Sequence, residues 1–62
     1  MDLPKDPMIL LSVVNTKLRD FYPTLEAFCR EADVSEAELR ETLAGIEYEY
    51  DPETIHFVYL FF

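Results

Sequence analysis

The 62 residues carry 13 acidic and 5 basic side chains, a formal net charge of −8. That balance opposes phosphate backbones and anionic lipid, which proteins hold through Lys and Arg. A single cysteine excludes an internal disulfide, and 50% hydrophobic content excludes a disordered chain. One small domain over residues 1–62 is therefore expected, stabilised by packing or by self-association.

The chain opens with Asp6-Pro7, a helix start. Asp6 can accept from an orphan N–H, and Pro7 suits the first turn. A first helix is predicted over about 7–21, stopped by Pro23. On a wheel, Leu10, Leu11, Val14, Leu18, Phe21 and Tyr22 share the core arc. Ser12, Asn15 and Arg19 form a polar row on its flank, with Met8. Thr16, Lys17 and Asp20 lie opposite, joined by the apolar Ile9 and Val13. The run "MILLSVV" is not a signal-peptide core, because acidic Asp2 and Asp6 flank it and no small-residue cleavage site follows. It is also too short to span a bilayer, so a soluble, cytoplasmic protein is expected.

Thr24 is placed to cap a second helix over 25–32, with Leu25, Phe28, Cys29 and Ala32 on one face. Asp33-Val34 reads as a tight turn. "SEAE", residues 35–38, is a capping box that starts a third helix over about 36–44, with Val34 and Leu39 as its hydrophobic staple. Gly45, the only glycine, is expected to end that helix in the left-handed conformation. The period then changes to two. Strands are predicted over about 46–50 and 55–61, joined by "DPET" as a type I turn. That loop would set Tyr50 opposite Ile55, Tyr48 opposite Phe57 and Ile46 opposite Tyr59.

The expected fold class is α+β: a three-helix, helix-turn-helix-like bundle followed by a C-terminal two-stranded antiparallel hairpin. The block "LPKDP…LLSVVNTKLRD", then a short helix with Cys29, then "YEYD", resembles the small bacterial family catalogued as domain of unknown function 4250, over roughly residues 3–57. The tail "VYLFF" and Pro52 depart from that pattern. The resemblance implies a bacterial, cytoplasmic, stand-alone domain whose signature is the polar stretch Asn15 to Asp20. It supplies no activity and no site residues.

The residues do not point to an enzyme. His56, the only histidine, falls on a strand, and Cys29 falls on an apolar helix face where a thiol packs as a small hydrophobe. No metal or other cofactor is expected: the carboxylates lack calcium-loop spacing, and one glycine cannot build a phosphate loop. Direct nucleic-acid binding is disfavoured, because Glu36, Glu38 and Glu41 outnumber Arg40 on the third helix. The second strand, if Ile55, Phe57, Tyr59 and Phe61 face the core, leaves Val58, Leu60 and Phe62 outward. Such a strand needs a cover. The expected contact surface for an unidentified protein partner, or for a homodimer, is Ile9, Val13, Val58, Leu60 and Phe62, with Asn15 and Arg19 as polar specificity residues. The same polar row could instead brace the first helix against the rest of the domain. The alternative function is a transcription-linked regulator with a degenerate helix-turn-helix or winged-helix fold.

Overall fold

The computed structural model describes residues 3–61. Its element order is α1 (Pro7–Asp20), α2 (Leu25–Ala32), α3 (Glu36–Ala44), β1 (Tyr48–Asp51) and β2 (His56–Tyr59). Three helices followed by a two-stranded antiparallel sheet make an α+β fold.

Each helix begins where a side chain can take an unpaired backbone donor. Asp6 accepts from Met8 N–H at 2.9 Å and from Ile9 N–H at 3.2 Å. Thr24 accepts from Ala27 N–H at 3.1 Å, and Ser35 from Glu38 N–H at 3.3 Å. Half-buried Val34 packs against the core just before the Ser35 cap, as the staple requires. The α2–α3 turn is closed by a paired C-terminal motif. Val34 N–H reaches Cys29 C=O at 3.0 Å, Asp33 N–H reaches Arg30 C=O at 3.3 Å, and Asp33 is left-handed at φ 58°.

The core gathers one stripe from each helix. Leu10, Leu11, Val14 and Leu18 of α1 meet Leu25, Phe28, Cys29 and Ala32 of α2 and Leu39 and Leu43 of α3. Phe57 of β2 closes the set, and no polar side chain is buried with it among the described residues. Fully buried Phe28, Leu25, Leu43 and Val14 each contribute about 1.5–3 kcal/mol relative to exposure.

Several expectations need correction. Phe21 does not join the core face: α1 ends at Asp20, and Phe21, in a non-helical cap conformation, is 68% exposed with Lys17 Nζ 5.0 Å above its ring. Tyr22 is half-buried and meets Phe28 edge-on at 5.5 Å. Gly45 is right-handed at φ −62°, and the chain tightens through Ile46 and Glu47, with Glu47 N–H bonded to Ala44 C=O at 2.9 Å. The left-handed residue is Glu47 at φ 67°. The reversal therefore comes two residues after the glycine, and Ile46 belongs to it rather than to β1.

The hairpin register is also two residues away from the expected one. Tyr48 pairs with Tyr59, Glu49 with Val58, Tyr50 with Phe57 and Asp51 with His56. The loop is Pro52–Ile55, with Ile55 left-handed at φ 60° and its N–H bonded to Asp51 C=O at 2.8 Å. Asp51 Oδ1 accepts from Glu53 N–H at 2.9 Å, an Asx turn that makes Asp51 the last strand residue and the loop's anchor. A shift of two preserves side-chain parity, so Tyr48, Tyr50, Phe57 and Tyr59 still share one face. Of the second strand's expected core residues, Phe57 is buried and Ile55 half-buried in the loop, while Tyr59 and Phe61 are exposed.

Candidate functional site

The polar row resolves into three separate situations. Half-buried Asn15 grips Phe57 with both ends of its amide. Its Nδ2 donates to Phe57 C=O at 3.1 Å, and Phe57 N–H donates to its Oδ1 at 2.8 Å. The register explains why those groups are available. Leu60 N–H bonds Glu47 C=O at 2.9 Å, which makes 47–60, 49–58 and 51–56 the hydrogen-bonded pairs. Phe57 falls in a non-bonded pair, so its backbone groups point out of the sheet, where Asn15 substitutes for a third strand. Arg19 instead pairs with its neighbour Asp20, at 2.8 and 3.0 Å, on the surface. That contact holds the Asp20 carboxyl below its ordinary range, chiefly through the hydrogen bond from Arg19. Exposed pairs of this kind add little stability. Ser12 is exposed.

A second fastening was not legible in the sequence. Leu25 N–H, an orphan donor in the first turn of α2, donates to Tyr50 Oη at 3.3 Å. Tyr50 also lies 5.5 Å from Phe57, ring to ring, and under the Arg40 guanidinium at 5.4 Å. Arg40 is held by Glu36 at 3.0 Å. The only available signal was a tyrosine on the apolar face of an alternating strand, which does not name its partner.

Between α3 and β1 runs an open groove of about 390 Å³. Ala44, Tyr48, Tyr50, Phe57 and Leu60 form its apolar part, and Arg40, Glu41 and Glu49 its polar rim. Beyond it the chain leaves the sheet with three consecutive exposed apolar residues: Tyr59, Leu60 at 48% and Phe61 at 66% exposure. Phe61 meets Tyr59 edge-on at 6.2 Å, and Tyr59 lies 5.4 Å from Tyr48, so an aromatic row follows the hairpin to its end. Tyr59 Oη donates to Glu47 Oε2 at 3.3 Å, which raises the Tyr59 hydroxyl above its ordinary pKa.

The other expected contact residues are scattered in character. Ile9 is 56% exposed in the first turn of α1. Val13 and Val58 are half-buried. Leu60 lines the α3–β1 groove; Ile9, Val13 and Val58 do not. Phe62 lies outside the described residues.

Cys29 is buried, and burial pushes its thiol up, with Glu36 adding to the effect. That is the opposite of the thiolate a nucleophile or redox centre requires. His56 is half-buried in β2, with Nδ1 2.7 Å from Thr54 O. Among the described residues no three His, Cys, Asp or Glu side chains are grouped to hold a metal ion. No helix among them is long and apolar enough to cross a membrane.

Residues 4–57 match the model of the family described as Domain of unknown function (DUF4250), and the chain belongs to that family. No curated protein and no solved structure matches it.

Proposed function

We propose that this member of the DUF4250 family is a cytoplasmic, non-catalytic protein-interaction module of bacterial origin that self-associates through its C-terminal apolar strip. The observation that carries this reading is the run Tyr59-Leu60-Phe61, exposed in sequence in a chain of net charge −8. Consecutive exposed apolar residues are a liability unless a contact hides them. Half-buried Val58 extends the strip along β2, and exposed Ile9 with Met8 supplies a second apolar patch on α1. Arg19, exposed like Ser12, is the charged member of the polar row left on the surface to set specificity, whereas the Asn15 amide is occupied by Phe57. The raised, buried thiol of Cys29 supports the non-catalytic part of the reading.

Light scattering across a concentration series tests the proposal. A dimer that dissociates on Leu60→Glu or Val58→Glu, with helical content unchanged, is the expected result. A monomer at the highest concentration, with both variants as stable as wild type, would overturn self-association.

A second reading has one specific observation in its favour. The α2–α3 connection is the three residues Asp33, Val34 and Ser35, the length of a helix-turn-helix turn, with Asp33 left-handed where such turns commonly place glycine. As a transcription-linked regulator the chain would act through a protein contact, because α3 presents Glu38 and Glu41 to solvent beside a single Arg40 already paired to Glu36. Retardation of DNA fragments that fades with added salt would favour direct binding. An unshifted fragment at low salt would remove it.

A further inference from the structure

We infer that the α3–β1 groove is a strand-docking site, which takes an extended partner segment of alternating apolar and basic residues as a third strand on the outer edge of β1. The inference rests on the interaction-module reading but not on self-association, although Leu60 of the tail also lines the groove.

The two edges of the hairpin differ. In the observed register Tyr48–Tyr59 and Tyr50–Phe57 are the non-bonded pairs, so the N–H and C=O of Tyr48 and Tyr50 point out of the sheet on the β1 side. On the β2 side the matching groups of Phe57 are taken by Asn15. On the β1 side, among the described residues, no backbone or side-chain group bonds those of Tyr48 or Tyr50. Tyr48, Glu49 and Tyr50 all line the groove. The edge thus offers two donor–acceptor pairs, one residue apart from being adjacent, at the spacing an added strand satisfies.

The side chains define the segment. Residues laid opposite Tyr48 and Tyr50 would project on the face those tyrosines share, toward the apolar part of the groove. The residue between them would stand opposite Glu49 on the other face. Arg40, the one cation at the groove's rim, is engaged by Glu36 at 3.0 Å and stacked on Tyr50. A basic residue is the complement of Glu49. A second copy is a poor occupant. Antiparallel pairing of β1 with its symmetry mate about Glu49 would set Glu49 against Glu49, flanked by tyrosines and by two chains of charge −8.

The test uses a short blocked peptide alternating valine and lysine, titrated into the 62-residue chain at physiological salt and followed by amide NMR shifts and fluorescence anisotropy. Two control peptides accompany it: one N-methylated on the edge that would bond β1, the other with glutamate in place of lysine. Shifts centred on Tyr48, Glu49 and Tyr50 are expected, with new exchange protection at the Tyr48 and Tyr50 amides. N-methylation removes two strand hydrogen bonds and should weaken binding about tenfold or more. The glutamate peptide and the Glu49→Lys variant should each weaken it several-fold. Ala44→Trp, on an exposed position, should fill the groove and abolish binding while the protein stays folded. Binding that ignores N-methylation would show mere charge attraction and overturn the proposal, as would shifts confined elsewhere or no binding at all. Light scattering of the same samples reads self-association separately, so a monomer that still docks the peptide refutes only the dimer.

Discussion

Replacing Asn15 by alanine isolates the contact that ties α1 to the sheet. The side chain makes two hydrogen bonds to the backbone of Phe57, at 2.8 and 3.1 Å, in a half-buried setting. Each such bond is worth about 1 kcal/mol net, and truncation leaves an N–H and a C=O that water reaches only in part. The expected loss is about 2 kcal/mol. A domain of this size has roughly 3–9 kcal/mol in total, so the loss is a large fraction. It should lower Tm by about 8–16 °C. Urea unfolding of Asn15→Ala, Ser12→Ala and Arg19→Ala measures the difference. The two controls should stay within about 0.5 kcal/mol of wild type, because Ser12 is exposed and Arg19 pairs with its neighbour Asp20 on the surface. Exchange of the Phe57 amide should accelerate in Asn15→Ala alone. An Asn15 variant as stable as wild type, or an Arg19 variant equally damaged, would refute the clamp.

The left-handed positions predict opposite outcomes at two turns. Asp33→Gly should stabilise by about 0.5–1 kcal/mol, since φ 58° strains a residue with a Cβ. Gly45→Ala should change stability by less than about 0.5 kcal/mol, because the gain from a φ of −62° that suits alanine is offset by the tight 3.2 Å approach of the new Cβ to Thr42 O; a loss well beyond that would return Gly45 to the left-handed role. Among the 4 tyrosines, Tyr59 should ionise later than an ordinary tyrosine, as read by ultraviolet absorbance. Its folded-state pKa is raised, so the Tyr59–Glu47 contact contributes at pH below the ordinary value of 10.0 and is lost as pH climbs through the raised one. Glu47→Gln should move that titration back down. The Cys29 thiol should resist a chromogenic disulfide reagent in the native protein and react at the rate of unfolding in urea.

Local chemistry determined most of the architecture. Caps at Asp6, Thr24 and Ser35 act on the nearest backbone donors, so the helix starts follow from residues within three positions of one another. The apolar stripes of α1 and α2 follow from period alone, and the switch to alternation after Gly45 marked the hairpin. Family membership was equally readable, because it resides in the order of residues from 4 to 57. What local chemistry left open was decided across distance. Type I chemistry at Asp51-Pro52 is compatible with more than one loop closure, and the register was fixed when Phe57 entered the core and Asn15, 42 residues away, took its backbone. The glycine ceased to be the reversal point because α3 tightens by two residues before Glu47 turns the chain. Periodicity assigned Asn15, Ser12 and Arg19 to one row, but a wheel cannot say which member meets a strand edge. Only the packing of α1 against β2 and of α3 against β1 separated the closed edge of the hairpin from the edge that opens onto a groove. That distinction depends on which backbone groups lack a partner, a property of the assembled chain rather than of any segment of it.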